Sequence, residues 1–195
     1  MKEETKIQAQ VRQTFENGAK TFDDIYRPSE SKNFLSKWID KTFRQSMTLR
    51  FYKTLELLER DDLRTILDVG CGSGRYCTEY LNMGKRVLGI DVSSNMIDLA
   101  RAACEPLGSN SDTEFLVGDY VYMPLDEKYD AAVLMGLFDY IENPQPLLIK
   151  LKQEVSTLIL ASFPKRFNKL NYLRKYRYKL KRCPLYYYTH EQLEE

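Results

Sequence analysis

The sequence has 195 residues, of which 43% are hydrophobic, and a formal net charge of +1 at pH 7. This length fits one domain with a substantial core. The sequence has no run of about 18 apolar residues, so no membrane span is predicted. The four cysteines form no Cys-x-x-Cys pair, which disfavours a metal site or a disulfide framework. Because the start also lacks an apolar secretory signal, we expect a metal-free protein of the reducing cytoplasm.

The first 63 residues predict a helical segment that precedes any strand. Residues 1–20 fit a weakly amphipathic helix, and the pattern breaks before Pro28, which disfavours helix at the preceding residue. From Ser31 to Glu59, apolar residues recur every three or four positions. This spacing predicts one long helix, or two with a bend, buried along one face.

Strands and helices then alternate from residue 64 to residue 163. Five strands are predicted, at Thr65–Val69, Arg86–Ile90, Glu114–Val117, Tyr129–Met135 and Ser156–Phe163. Three capping signals place helices between them: Gly84 ends the first, Ser93 or Ser94 begins the second, and Asn143-Pro144 opens the third. The alternation predicts an α/β fold with a doubly wound, mostly parallel sheet of about five strands.

The turn after the first strand points to a nucleoside-bearing cofactor. Gly70, Gly72 and Gly74 follow an apolar strand directly, so the backbone can turn tightly and lie close against a ligand. Asp91 comes roughly 20 residues after the turn, a spacing suited to accepting hydrogen bonds from two ribose hydroxyls.

The same turn argues against a dinucleotide as the ligand. A dinucleotide fingerprint needs its third glycine at the position that Arg75 holds here. Asp68, near the end of the strand, would also place a negative charge beside a pyrophosphate. The residues therefore favour a cationic ligand.

An acidic residue followed by alternate glycines resembles motif I of the class I S-adenosylmethionine (SAM)-dependent methyltransferases. SAM has no phosphate and carries an ammonium and a sulfonium, which accounts for Asp68. The resemblance covers about residues 64–163 and implies a Rossmann-like fold, SAM as cofactor and S-adenosylhomocysteine (SAH) as its product. It also implies two further strands that the sequence to Glu195 does not hold, so we expect a sheet without them.

The resemblance implies a cofactor role for residues at four strand ends. The turn would hold the methionine part of SAM, Asp91 the ribose, and Val92 a face of the adenine. Asp119 and the neighbouring backbone at Tyr120 would read the adenine amino group, and Met135 would line the methionine end. The implied cofactor-binding residues are Asp68, Gly70, Gly72, Gly74, Asp91, Val92, Asp119, Tyr120 and Met135.

Methyl transfer mainly requires a nucleophile held in line with the sulfonium, about 3–3.5 Å from the methyl carbon, so a general base is optional. Asp139 and Tyr140, just past the fourth strand, are the candidates to meet a substrate proton. Tyr26, between the N-terminal helices, is the candidate to close over the cofactor. Packing or capping is the alternative role of all three. His190, the only histidine, better fits a helix end or the surface.

The acceptor is predicted to be a small molecule. Residues 154–170 and 184–195 loosely resemble magnesium-protoporphyrin O-methyltransferases and related small-molecule enzymes. In that subfamily a histidine often stands where Asp139 stands here. We therefore do not predict a porphyrin as the substrate of this protein. No Asn-Pro-Pro-Tyr or Pro-Cys sequence follows the fourth strand, which disfavours adenine, glutamine and cytosine methylation. Oxygen is the favoured acceptor atom, with nitrogen or carbon as alternatives.

The segment 164–195 is marked by a basic run. From Lys165 to Arg182 it holds nine Lys or Arg and no acid. This run fits a solvated amphipathic helix, or a patch for an anionic substrate, nucleic acid or a membrane surface.

We therefore expect a small-molecule methyltransferase in which residues 1–63 form a lid over a SAM-binding core at 64–163. Two alternatives stay open: a non-catalytic SAM-binding regulatory protein, and an RNA-modifying enzyme that grips phosphate with residues 165–182. Nucleic acid is the less favoured partner.

Overall fold

The computed structural model of the protein describes residues 6–19, 34–107, 112–163 and 183–188. The helices are α1 (Lys6–Gly18), α2 (Phe34–Leu58), α3 (Arg75–Asn82), α4 (Ser94–Cys104) and α5 (Gln145–Glu154). The strands are β1 (Thr65–Val69), β2 (Arg86–Asp91), β3 (Thr113–Val117), β4 (Tyr129–Leu134) and β5 (Val155–Ala161). Single 3-10 turns lie at Tyr120–Tyr122 and Phe138–Tyr140.

The predicted elements of the α/β core are confirmed, with ends that differ by one or two residues. The strand order is β3-β2-β1-β4-β5, and every neighbouring pair is parallel. The chain therefore leaves β1 toward one edge for β2 and β3, then returns to β1's other side for β4. This reversal is the switch point of a doubly wound sheet, where ligands bind beyond the carboxyl ends of the strands.

Each face of the sheet has its own apolar layer. Helices α2, α3 and α4 cover one face, where the buried side chains include Leu58, Ile66, Tyr80, Ile97 and Val133. Helix α5 and the two 3-10 turns cover the other, with Leu67, Tyr120, Phe138, Leu147 and Leu151. Strand residues alternate between these clusters because successive side chains point to opposite faces.

The predicted capping signals are confirmed at two helix ends. Gly84, with φ 72°, follows α3, and its N–H and that of Lys85 donate to the carbonyls of Leu81 and Tyr80. These two bonds form a Schellman motif. Ser93 caps α4, since its hydroxyl accepts the N–H of Met96. Helix α5 begins at Gln145, one residue after the predicted Pro144.

Strand β5 forms one edge of the sheet, and within the described ranges no further strand pairs with it. Helix α2 is one continuous helix rather than two. No described helix combines the length and apolar character needed to cross a membrane. Tyr26, His190 and the basic run 165–182 lie outside the described residues.

Candidate functional site

The glycine turn is folded back onto the end of β2. Gly70, Gly72 and Gly74 have φ of 76°, 55° and 79°, the left-handed region in which side chains are strained. The N–H of Gly70 donates to the carbonyl of Ile90 at 2.8 Å. A Cβ on Gly74 would lie 2.8 Å from the Cα of Ala100. The third glycine is therefore required where the turn packs on α4.

Asp91 joins this turn to the start of α4. Its carboxylate accepts the backbone N–H of Gly72 at 3.0 Å and that of Ser93 at 2.9 Å. Burial raises the pKa of Asp91, although both hydrogen bonds act against the rise. Each carboxylate oxygen keeps a second lone pair, so a ribose hydroxyl can be accepted as well.

Asp68 lies buried beneath the turn, with only 2% of its surface exposed. The thiol of Cys77 donates to its carboxylate at 3.5 Å. Burial raises the pKa of Asp68 to about 7, the Cys77 bond lowers it, and the charge of Asp91 raises it further. A cation brought next to this carboxylate would offset the cost of its burial. The role of Cys77 was not predicted from the sequence, because a lone buried cysteine in a helix gives no functional signal.

Asp119, at the end of β3, accepts two hydrogen bonds. Its Oδ1 accepts the N–H of Val121 at 3.0 Å, and its Oδ2 accepts the side-chain amide of Gln8 at 2.9 Å. The side chain of Tyr120 is buried in the apolar layer that α5 covers, and its hydroxyl donates to Glu154 at 2.7 Å. Any contact of Tyr120 with a ligand at Asp119 must therefore come from its backbone.

One face of helix α1 contacts residues that follow three of the strands, β2, β3 and β4. The Glu16 carboxylate accepts the N–H groups of Ser94 and Asn95, at 2.7 and 3.2 Å, at the start of α4. Phe15 meets Tyr140 edge to face, with ring centroids 5.0 Å apart. Gln8 makes the contact with Asp119. These three residues were not predicted as site residues from the sequence, although spacings of seven and eight place them on one helix face.

The remaining predicted site residues lie in different surroundings. Met135, after β4, is half-buried against the α2 side of the sheet. Val92, after β2, is also half-buried. Asp139 is only 7% exposed, and its carbonyl accepts the N–H of Tyr186 from the segment 183–188. Tyr140 is half-buried against α1. Their predicted roles toward a substrate stay predictions.

The strand ends are rich in acid. Asp91 interacts electrostatically with both Asp68 and Glu16, and Asp119 follows the neighbouring strand β3. The guanidinium of Arg75 lies 4.7 Å from the ring centre of Phe51, on the α2 side. A cationic nucleoside fits this donor and acceptor set, whereas a pyrophosphate would face carboxylates.

In a comparison with protein families, residues 66–155 match the model described as a methyltransferase domain. These residues include β1, the glycine turn, Asp91 and Asp119.

Two curated relatives share part of this chain. A ubiquinone biosynthesis O-methyltransferase from Hydrogenovibrio crunogenus is 26% identical over 137 residues, 62% of this chain and 53% of the relative. A tRNA U34 carboxymethyltransferase from Shewanella piezotolerans is 33% identical over 95 residues, 48% of this chain and 29% of the relative. The chain thus spans about half, or less, of the length of the curated relatives it matches.

A solved structure shares the fold over nearly the whole chain. It is the magnesium protoporphyrin IX methyltransferase from Synechocystis PCC 6803 with bound SAH, with a TM-score of 0.70 and 21% identity. The match covers 95% of this chain and 84% of that one. At this identity the likeness concerns the fold, and it agrees with the predicted Rossmann-like sheet.

Proposed function

We propose that this protein, whose residues 66–155 match the model of a methyltransferase domain, is a class I SAM-dependent methyltransferase that transfers a methyl group from SAM to a small-molecule acceptor. Oxygen is the proposed acceptor atom, and SAH is the proposed product. The observation that carries the proposal is the buried Asp68 carboxylate beneath a glycine turn whose second glycine is tied to Asp91.

The residues at the strand ends have separate proposed tasks. Asp68 draws the ammonium of the ligand toward the turn, while Asp91 holds the ribose and Asp119 the adenine amino group. Val92 and Met135 supply apolar contacts at either end of the site. When bound, SAM supplies a methyl group already activated on a sulfonium. The chain then has to orient the acceptor in line with that methyl group and exclude water.

Helix α1 is proposed to be the described part of a lid. It bonds to the start of α4 through Glu16 and to Asp119 through Gln8, and it packs on Tyr140 through Phe15. These contacts lie on the edge where ligands of doubly wound sheets bind. A ligand there would be shielded from solvent by α1. Asp139 and Tyr140 are the proposed contacts to an acceptor proton.

An RNA-modifying enzyme is the second candidate, because one of the matched relatives is named as a tRNA U34 carboxymethyltransferase. Phosphate binding by Lys165–Arg182 would weaken steeply with salt. The apolar surroundings of Met135 favour the small molecule. A third possibility, a regulatory protein that binds SAM without turnover, is separated from both by a turnover assay. The four free, buried thiols suit the reducing cytoplasm that the sequence predicts.

Calorimetry with SAM, SAH and NADH tests the cofactor. We expect SAM and SAH to bind and NADH not to bind; tight NADH binding would overturn the proposal. Transfer of labelled methyl from SAM to a metabolite extract, compared with total tRNA, then separates the small-molecule enzyme from the RNA enzyme. SAM binding without transfer to either would identify the regulatory protein.

A further inference from the structure

A groove beside the carboxyl ends of β4 and β5 carries positive charge. It has a volume of about 350 Å³ between the second half of α2 and β5. Its lining residues are Leu49, Arg50, Lys53, Thr54, Leu57, Met135, Leu160 and Ala161. Most of these side chains are apolar, two are cationic and none is acidic. Met135 is predicted to line the methionine end of SAM, which carries the transferred methyl group, so the groove begins next to the place where the acceptor is expected.

Arg50 is held at this groove by a short chain of hydrogen bonds. Its Nη1 donates to the hydroxyl of Ser162 at 3.1 Å, and that hydroxyl accepts the N–H of Gly136 at 2.8 Å. The guanidinium is therefore fixed against the residues that follow β4 and β5. Its Nε is buried and has no hydrogen-bond partner. The positive charge of this partly buried guanidinium has no described anionic partner, so an anion in the groove would stabilise it.

Lys53 adds a second cation on the same face of α2. It lies three residues after Arg50, which places the two side chains on neighbouring turns. Lys53 is exposed, and the ion pairs of the described residues involve other cations. Leu49 and Leu57 flank the pair and are 60% and 51% exposed. The groove thus joins apolar surface to two cations that no described carboxylate neutralises.

We propose that this groove binds the methyl acceptor, and that the acceptor is an apolar small molecule carrying one oxyanion group that Arg50 binds. The inference rests on the proposed function, because it assigns the acceptor of that same site. Arg50 recognises the oxyanion through its planar guanidinium. Lys53 adds attraction from the rim, and the leucines contact the apolar body. A highly charged nucleic acid does not match these apolar walls.

A matched pair of fluorescent probes tests this assignment. Anilinonaphthalene sulfonate has apolar rings and one sulfonate, and N-phenyl-1-naphthylamine has the same rings without the sulfonate. We expect the full chain, saturated with SAH, to bind the sulfonate at least about tenfold more tightly. Arg50→Gln should abolish this preference, and Arg50→Lys should keep part of it. Arg64→Gln is the control, since Arg64 is an exposed arginine at the amino end of β1, the opposite edge of the sheet.

Two results would overturn the assignment: equal binding of both probes by the wild type, or a preference that survives in Arg50→Gln. Thermal unfolding and SAH calorimetry on each variant show whether the fold and the cofactor site are intact. If SAH itself fails to bind, the probes are compared without it, and the proposed function fails while the groove is still tested. If SAH binds and the probe preference is absent, only the groove assignment fails.

Discussion

The backbone N–H of Gly72 donates to the carboxylate of Asp91 across 3.0 Å, so the middle of the turn is held by the residue predicted to bind ribose. Asp91 pairs in register with Val117 at the end of β3. The Asp91 carboxylate therefore connects the turn after β1 with the start of α4, while the backbone of Asp91 pairs with the end of β3. Loss of the carboxylate should affect both ligand binding and the shape of the turn.

Asp91→Ala should lower SAM affinity by about 1.5–3 kcal/mol, the size of hydrogen bonds to a charged group. Asp91→Asn should lose less, because its amide oxygen can still accept one of the two backbone N–H groups. Calorimetry with SAM measures both effects. Asp98→Ala is the matched control, because Asp98 is an exposed carboxylate on α4. Wild-type affinity in Asp91→Ala would contradict the ribose assignment.

Without ligand, stability should fall as the pH rises from about 4 to about 7 because of Asp68. Burial raises the pKa of Asp68 from 3.8 to about 7. Over this range the folded protein keeps a proton that the unfolded chain has released, so the free energy of unfolding decreases with pH. Urea unfolding at pH 5 and pH 8 measures the change. The free energy of unfolding of Asp68→Asn should depend less on pH than that of the wild type. At pH 8 the variant should be the more stable of the two proteins. Equal slopes for Asp68→Asn and wild type would contradict the assignment.

SAM binding should respond to pH in the opposite direction. If the ligand's ammonium pairs with the ionised Asp68, binding must displace its proton below pH 7, where the pKa near 7 keeps the group protonated. We expect SAM affinity to rise toward pH 7 and then level off. Calorimetry at pH 6 in two buffers of different ionisation enthalpy should show proton release. Asp68→Asn should bind more weakly and release no proton from this site; proton uptake by the wild type would refute the pairing.

Gly74→Ala should destabilise the fold more than Gly84→Ala. Both glycines have positive φ, 79° and 72°, so both variants incur a backbone cost of about 1–2 kcal/mol. A Cβ at Gly74 would also lie 2.8 Å from the Cα of Ala100, whereas nothing lies within 4 Å of one at Gly84. Overpacking should add about 1–3 kcal/mol at Gly74 alone. Denaturant unfolding gives the difference, and equal losses would show that α4 can move away.

The sequence predicted the core well because its strands have a strong and redundant signal. Ile66 and Leu67 are both buried, one on each face of β1, and adjacent apolar residues of this kind correctly predict a parallel strand covered on both faces. Gly84 and Ser93 have capping roles that depend on their immediate neighbours. Local information was sufficient for these features.

The polar contacts of α1 and α2 could not be predicted in this way. Gln8 and Asp119 are 111 residues apart, and Arg50 and Ser162 are 112 apart. Such partners are chosen by how the helices lie across the sheet, which no local pattern encodes. The burial of Asp139 is a similar case, because the segment 183–188 returns to contact it.

Gln8→Ala should speed SAM association, because Gln8 holds the acceptor that the adenine amino group is predicted to use. The amide of Gln8 donates to Asp119 Oδ2 at 2.9 Å, while Val121 holds Oδ1. Adenine would then have to displace Gln8 before binding. Removing one such bond should raise the association rate constant about threefold to tenfold. Stopped-flow or surface plasmon measurements give the rate, with Gln13→Ala, an exposed glutamine on α1, as control. Slower association in Gln8→Ala would mean that Gln8 helps to hold the cofactor rather than compete with it, and would refute this prediction.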